Sequence, residues 1–334
     1  MLVSWNTTNM CNLACAHCYR DAGQRAEDEL TTTEGMALID EIAAAGFKIM
    51  IFSGGEPLMR PDICELIAHA AGRGLRPVLG SNGTMLTKEV ARRLVEAGAQ
   101  AIGISLDSVD PTAHDRFRAE QGSWQAAVDG MKSCRAVGLS FQLHTTVMDW
   151  NYDEVEKLTD LAIELGCIAH HVFFLVPTGR GADIEHTSLR AVQYERLLRR
   201  LLKKQESVGL EVKPTCAPQF IRIADQLGVK TRFQRGCLAG IAYCLINPVG
   251  DLQACAYLDT PVGNVRETPF GKLWREAELF RDLRSRQYKG NCGTCDYRDT
   301  CGGCRARAKF YHGDHMAEEP WCLYRRGKIE HAAR

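Results

Sequence analysis

The sequence predicts an α/β chain in two parts: a parallel sheet, closed or partly closed, built of repeated strand-and-helix units, and after it a small cysteine-rich module with a β-hairpin and short helices. Three observations carry this. Six apolar runs before residue 178 are, for the most part, each followed by a helical pattern. The alternation stops after "HHVFFLVPTGRG". In the last third of the chain crowd eight of the 15 cysteines, Cys237, Cys244, Cys255, Cys292, Cys295, Cys301, Cys304 and Cys322.

In chain order the strands are "LVSWNTT", "FKIMIFSG", "RPVLGSN", "AIGISLD", "FQLHTTVM" and "HHVFFLV". Helices follow at "TTEGMALIDEIAAAG", "TKEVARRLVEAG", "SWQAAVDGMKSCRAVG" and "NYDEVEKLTDLAIELG". Thr33 and Asn151 stand where N-caps fall, and Gly46, Gly98, Gly138 and Gly166 where helices end. A charged helix, "LRAVQYERLLRRLLKKQESV", then bridges to the second module, its basic face a solvated surface. The expected division is 1–185 for the sheet, 186–209 for the bridging helix and 210–334 for the cysteine-rich module. In that module "INPVGDLQAC" reads as the hairpin.

A chain of 334 residues suits one large domain and a smaller one. Lys and Arg total 41 against 41 for Asp and Glu, so no net field recruits nucleic acid or an anionic membrane. No signal-like segment and no long apolar run is seen, and the expected location is the cytoplasm. Cysteine clusters in that compartment point to metal, not disulfides. The isolated Cys64, Cys134, Cys167 and Cys216 read as small buried hydrophobes.

The stretch "CNLACAHCY" places Cys11, Cys15 and Cys18 directly after the first strand. In parallel α/β folds that is the end of the sheet where active sites form, and "SGGEP", "SNGT" and "SLD" converge there from later strands. Three thiolates can hold three irons of a [4Fe-4S] cluster and leave the fourth open to a substrate or cofactor. Zinc fits this array poorly, because no fourth Cys or His lies at finger spacing. In the second module, "CGTCDYRDTCGGC" contains two C-x2-C pairs that suit a zinc ribbon, yet eight cysteines equally supply two four-cysteine cluster sites. Spacing alone leaves both open.

The C-x3-C-x2-C array with His17 inside it, the "GGEP" turn and the six β/α units together resemble the radical S-adenosylmethionine (radical SAM) superfamily through roughly residue 180. The resemblance implies a partial (β/α)6, TIM-like barrel in which SAM chelates the unique iron and is cleaved to a 5′-deoxyadenosyl radical. By that likeness Cys11, Cys15 and Cys18 hold the cluster, His17 packs near the adenine, and Gly54, Gly55 and Glu56 meet the SAM amino group, with Pro57 shaping the turn. Asn82, Ser105 and Asp107 match polar strand-end positions that contact SAM, and Arg118 matches an arginine that pairs with its carboxylate.

The later cysteines are similar to the SPASM extension of the same superfamily, which holds two auxiliary [4Fe-4S] clusters and brings the total to three. That pattern assigns Cys237, Cys244, Cys255 and Cys304 to the first and Cys292, Cys295, Cys301 and Cys322 to the second, although "CGGC" has x2 where the family commonly has x3.

The phrases "SWNTTNMCNLACAHCYRDAG", "FFLVPTGRG", "KPTCAPQF" and "CGGCRARA" look like the tetrapyrrole-modifying NirJ/AhbC-type branch of haem d1 and alternative haem biosynthesis. This implies an iron tetrapyrrole substrate and a low-potential electron donor of ferredoxin or flavodoxin type. The expected reaction is removal of two acetate groups, on rings A and B, from 12,18-didecarboxysirohaem to give Fe-coproporphyrin III. A haem d1 activity on the same substrate and a peptide or protein maturase are the alternatives; against the maturase, the first strand opens at residue 2, with no leader-binding region expected ahead of it. A carboxylate-rich, iron-bearing substrate wants basic side chains at the barrel mouth, and His144, His170, His171, Arg180 and Lys213 are candidates as a group.

Overall fold

The computed structural model describes residues 1–325 and the backbone of 328 and 329; the last residues of the 210–334 module lie outside the described residues. Six strands open the chain: β1 (Leu2–Asn6), β2 (Ile49–Ser53), β3 (Arg76–Ser81), β4 (Ala101–Ser105), β5 (Phe141–Val147) and β6 (Ala169–Phe174). All six match the apolar runs. They pair in parallel in chain order, with helices packed on the outer face, as a TIM-like partial barrel.

The sheet continues past the expected boundaries on both sides. β7 (Glu211–Thr215) adds in parallel to β6, and β8 (Tyr243–Ile246) adds in parallel to β1. β9 (Asp251–Cys255) and β10 (Leu258–Asn264) follow β8 antiparallel, giving one ten-stranded sheet of order β10-β9-β8-β1-β2-β3-β4-β5-β6-β7. The cysteine-rich module thus extends the barrel sheet. "EVKPT" does not look like a strand because of its Pro214, but β7 is an edge strand, where a missing N–H is tolerated. The expected hairpin is β8–β9, its turn held by Asn247 Oδ1, which accepts from the N–H of Val249 (3.1 Å) and of Asp251 (2.8 Å).

Side chains alternate across each strand. One face packs under the helices: Trp5, Phe52, Ile104 and Leu143 are wholly buried there. The helix Thr32–Ala44 lies so close that a Cβ on Gly35 would come 2.5 Å from the Trp5 ring. The other face of the strands lines a lumen; along β5, Gln142, His144 and Thr146 are half-buried while their neighbours are buried.

Two expected caps are different residues. Thr31, not Thr33, caps the first helix, and with Glu34 forms a reciprocal capping box. Asn151 caps nothing: it is buried and its Nδ2 donates to the carbonyls of Asp107 (2.8 Å) and Thr146 (3.0 Å), tying the loops after β4 and β5 together. Among the described residues no helix is long and apolar enough to cross a membrane.

Candidate active site

The loop after β1 carries Cys11, Cys15 and Cys18 at the C-terminal mouth of the sheet. Its backbone is fixed on two sides. The "GGE" turn after β2 packs against it through Gly55 N–H to Thr8 O and Glu56 N–H to Met10 O, both 2.8 Å. Only glycine fits, because a Cβ at Gly54 would lie 2.5 Å from Thr8 O and one at Gly55 2.3 Å from Met10 O. Opposite, Arg180 clamps the loop, its Nε donating to Cys15 O (2.9 Å) and its Nη1 to Ala22 O (3.0 Å) and Asp21 (2.7 Å).

Two of the three sulfurs already face donors. The N–H of Leu13 lies 3.4 Å from Cys11 Sγ, and Nη1 of Arg118 lies 3.8 Å from Cys15 Sγ. Burial pushes the Cys11 thiol up to about 11 and raises that of Cys15. A bound cation would reverse that order, since coordination deprotonates a thiol.

Glu56 is wholly buried and accepts from Ser81 Oγ (2.9 Å), Asn82 N–H (2.8 Å) and Leu58 N–H (3.1 Å). Burial still outweighs these bonds and pushes its carboxyl up to about 7. Arg118 Nε donates to Asp107 Oδ2 at 2.6 Å. Burial opposes charge on Asp107, but Arg118, with His17 and His114, brings its carboxyl down to about 2. Its other oxygen accepts from Thr146 N–H (2.8 Å). Asp107 therefore anchors Arg118 beside Cys15. Asn82 Nδ2 reaches Asn12 (2.9 Å), and Ser105 Oγ leans on Ser81 O (3.4 Å). His17 stacks on Phe117, centroids 4.2 Å apart, with its buried Nδ1 unpartnered. Burial, then the Arg118 charge, lowers it to about 3 and keeps it neutral.

The second module gathers its cysteines into two groups. Cys292, Cys295, Cys301 and Cys322 line one cavity with Arg222, and the N–H of Glu319 lies 3.3 Å from Cys292 Sγ and that of Tyr297 3.4 Å from Cys295 Sγ. The other group is Cys237, Cys255, Cys304 and Cys216, close enough that each of the last two feels the charges of its neighbours.

Here the structure departs from the sequence reading. Cys244 is not in the group. It sits in β8 opposite Val3 of β1, on the helix-facing side, wholly buried in the hydrophobic core, and feels the charge of Arg284. Strand alternation turns it away from the lumen, on which Tyr243 and Cys255 lie. Cys216, read from sequence as a core residue, takes its place directly after β7. It adopts φ +58°, a costly conformation for a residue with a side chain, and Arg307 Nη2 donates to its carbonyl (3.1 Å). The signal in the sequence was the position of "KPTC" at a strand's C-terminal end, hidden because β7 did not look like a strand.

A family model described as the radical SAM superfamily matches residues 5–162, and one described as SPASM, an iron-sulfur cluster-binding domain, matches residues 237–304. The chain is 42% identical to a protein of Methanosarcina barkeri named AdoMet-dependent heme synthase, over 98% of this chain and 97% of that one. The chain belongs to the radical SAM superfamily. A protein of Nitratidesulfovibrio vulgaris, also named AdoMet-dependent heme synthase, is 41% identical over 97% of this chain and 92% of its own length. A second Methanosarcina barkeri protein, named Fe-coproporphyrin III synthase, is 31% identical over 98% and 89%. Among solved structures, Streptococcus suis SuiB bound to precursor peptide SuiA matches with a TM-score of 0.75 over 95% of this chain and 74% of that one, at 17% identity, a likeness of fold.

As a radical SAM enzyme with a SPASM domain, the chain is of the kind that binds SAM and [4Fe-4S] clusters. The donor sets fit: all 15 cysteines are free thiols, three at one site and four at each of two others. Among the described residues no three His, Cys, Asp or Glu side chains converge on one point as a single ion requires.

Of the basic candidates for this radical SAM barrel, three face the lumen. His144, His171 and Lys213 stand side by side on β5, β6 and β7. His170 points the other way, wholly buried, its two ring nitrogens 2.9 Å from Thr159 and Thr145 hydroxyls, a satisfied structural residue. Arg180 is the loop clamp already described.

Proposed function

We propose that this radical SAM enzyme works in haem biosynthesis on an iron tetrapyrrole, and that it makes haem from Fe-coproporphyrin III. The observation that carries the reading is end-to-end likeness, at 41–42% identity, to two proteins named AdoMet-dependent heme synthase. The sequence alone pointed one step earlier, to loss of two acetates from 12,18-didecarboxysirohaem. That second reading keeps one supporting observation, the 31% identical Fe-coproporphyrin III synthase.

The two porphyrins differ at two side chains. A propionate becomes a vinyl by losing one hydrogen atom from the carbon next to the ring, then carbon dioxide and one electron. Three [4Fe-4S] clusters and SAM would together supply the 5′-deoxyadenosyl radical that takes the hydrogen atom and the acceptor that takes the electron. For the protein's part, Cys11, Cys15 and Cys18 would hold the catalytic cluster. Glu56 offers the SAM ammonium its carboxylate. Arg118, oriented by Asp107, offers a donor fork beside Cys15. Cys216, Cys237, Cys255 and Cys304 would hold one auxiliary cluster and Cys292, Cys295, Cys301 and Cys322 the other. A low-potential ferredoxin or flavodoxin is the fitting reductant, and the cytoplasm the fitting location. We keep 1–185 and 210–334 as the two modules, with β7 as the strand that joins them.

The test is anaerobic incubation of reconstituted enzyme with SAM, a low-potential reductant and either Fe-coproporphyrin III or 12,18-didecarboxysirohaem, with products read by mass. Haem and 5′-deoxyadenosine from Fe-coproporphyrin III are expected. If that substrate is returned unchanged while didecarboxysirohaem is consumed, the second reading replaces the first.

A further inference from the structure

The lumen face of β6 and β7 carries polar groups that the protein itself leaves unmet. In register across the sheet, His144 lies beside His171, His171 beside Lys213, and Phe173 beside Thr215. Nε2 of His171 and Oγ1 of Thr215 are both buried with no hydrogen-bond partner. Lys213 is half-buried, its Nζ resting 4.0 Å from the centre of the Phe233 ring, with no acceptor in reach among the described residues. The one carboxylate nearby, Glu211, is engaged by Arg232 at 2.6 Å and lies 3.7 Å from His171. Buried polar groups without partners are uncommon in folded proteins, and a group of them on one wall calls for something that supplies acceptors.

The wall is also shaped. The His144 and His171 rings stack 5.2 Å apart and within 5° of parallel. His144 lies flat over Gly103, where a Cβ would come 2.0 Å from the ring, so β4 is cut away to seat it. Burial, then the neighbouring histidines and Lys213, keeps His144 uncharged; burial lowers His171 as well, against the opposite pull of the Glu211 carboxylate 3.7 Å from its Nε2. Burial lowers Lys213 as well, and the Glu211 carboxylate supports its charge; the wall therefore presents this one amine, with His171 beside it across the sheet and Thr215 two residues along its own strand.

We infer that Lys213, with His171 and Thr215, is the seat for a carboxylate arm of the substrate. An ammonium flanked by a hydroxyl and an imidazole offers donors to both oxygens of an acceptor-only group. Thr215 adjoins Cys216, so an arm held here ends next to the first auxiliary group, where an electron leaving that arm would be accepted. This inference rests on the iron-tetrapyrrole reading above.

The experiment titrates anaerobically reconstituted enzyme with Fe-coproporphyrin III and, separately, with its tetramethyl ester, following porphyrin absorbance. Wild type should bind the acid at least about tenfold more tightly than the ester. Lys213→Gln should lose about tenfold for the acid and nothing for the ester, and Lys213→Arg should recover most of that loss because it keeps the charge. Iron content per chain checks that each variant is folded; if Lys213→Gln fails to load iron, His171→Gln is read in its place, with a loss for the acid alone expected. A Lys213→Gln enzyme that binds the acid as wild type does, or that loses acid and ester equally, overturns the seat while leaving the haem reading intact. Wild type that binds neither porphyrin overturns both.

Discussion

Cys301 and Cys304 are separated by two residues, yet they belong to different sites. Cys301 lines the cavity with Cys292, Cys295 and Cys322, while Cys304 faces Cys237, Cys216 and Cys255. The turn between them is Gly302 at φ +72° and Gly303 at φ +61°, two successive left-handed residues that reverse the chain within one step. The short spacing therefore divides the cysteines between two sites. It does so while Cys237 N–H bonds Cys301 O at 3.1 Å, which keeps the two sites back to back.

Gly303→Ala tests this turn. A left-handed alanine costs about 1–2 kcal/mol, and its Cβ would lie 2.8 Å from Glu319 Cβ. Because Glu319 touches both groups, through Cys304 N–H (2.6 Å) and Cys292 Sγ (3.3 Å), iron should fall at both auxiliary sites together. Mössbauer or iron analysis showing loss at one site alone would contradict the shared turn.

The exchange of Cys244 for Cys216 is tested by counting iron. Fully loaded protein should hold about twelve irons, three clusters of four. Cys216→Ala should drop this toward about eight. Cys244→Ala should leave it unchanged and cost only about 1 kcal/mol of stability for the small core vacancy, read by chemical denaturation. The reverse pattern would restore the assignment read from sequence.

Glu56 should make stability depend on pH in an unusual direction. Its folded carboxyl sits at about 7 against 4.5 in an unfolded chain, so between those values the folded state holds the extra proton. Stability from this group is then lost as pH rises from about 4.5 to about 7, by about 3 kcal/mol. Asp107 acts oppositely: held at about 2 against 3.8, it gives stability that is lost only as pH falls from about 4 toward 2. Without SAM, melting curves of wild type and Glu56→Gln compared at about pH 5 and pH 8 should show the high-pH penalty in wild type alone. Added SAM should remove it; equal pH profiles for the two proteins would contradict a buried, ammonium-seeking Glu56.

Cys255 tests mechanism as well as composition. It lies at the lumen end of β9 in the group nearest the substrate wall. If that group accepts the electron, Cys255→Ala should still cleave SAM but release product poorly, raising the ratio of 5′-deoxyadenosine to porphyrin product about tenfold, equivalent to about 1.4 kcal/mol in partition. An unchanged ratio in the soluble protein would mean that the cluster only staples the module.

Local pattern alone determined the six parallel strands, the hairpin, the cysteine loop at the sheet's mouth and the glycines behind it. Each is written in nearest-neighbour chemistry: apolar alternation, caps, and turns that only glycine fits. Which thiols meet was decided by tertiary structure. On paper Cys244 is the cluster ligand and Cys216 an isolated core residue. The register of β8 on β1 turns Cys244 into the core, and the pairing of β7 on β6 carries Cys216 to the mouth. The same holds for the basic residues: His170 and His171 are adjacent in sequence, but strand alternation satisfies one between threonines and leaves the other facing the lumen. Arg180 reads as a free cation until the fold closes it onto the backbone of Cys15. A periodic sequence fixes which face a side chain takes relative to its own strand; only the packed sheet decides what stands opposite.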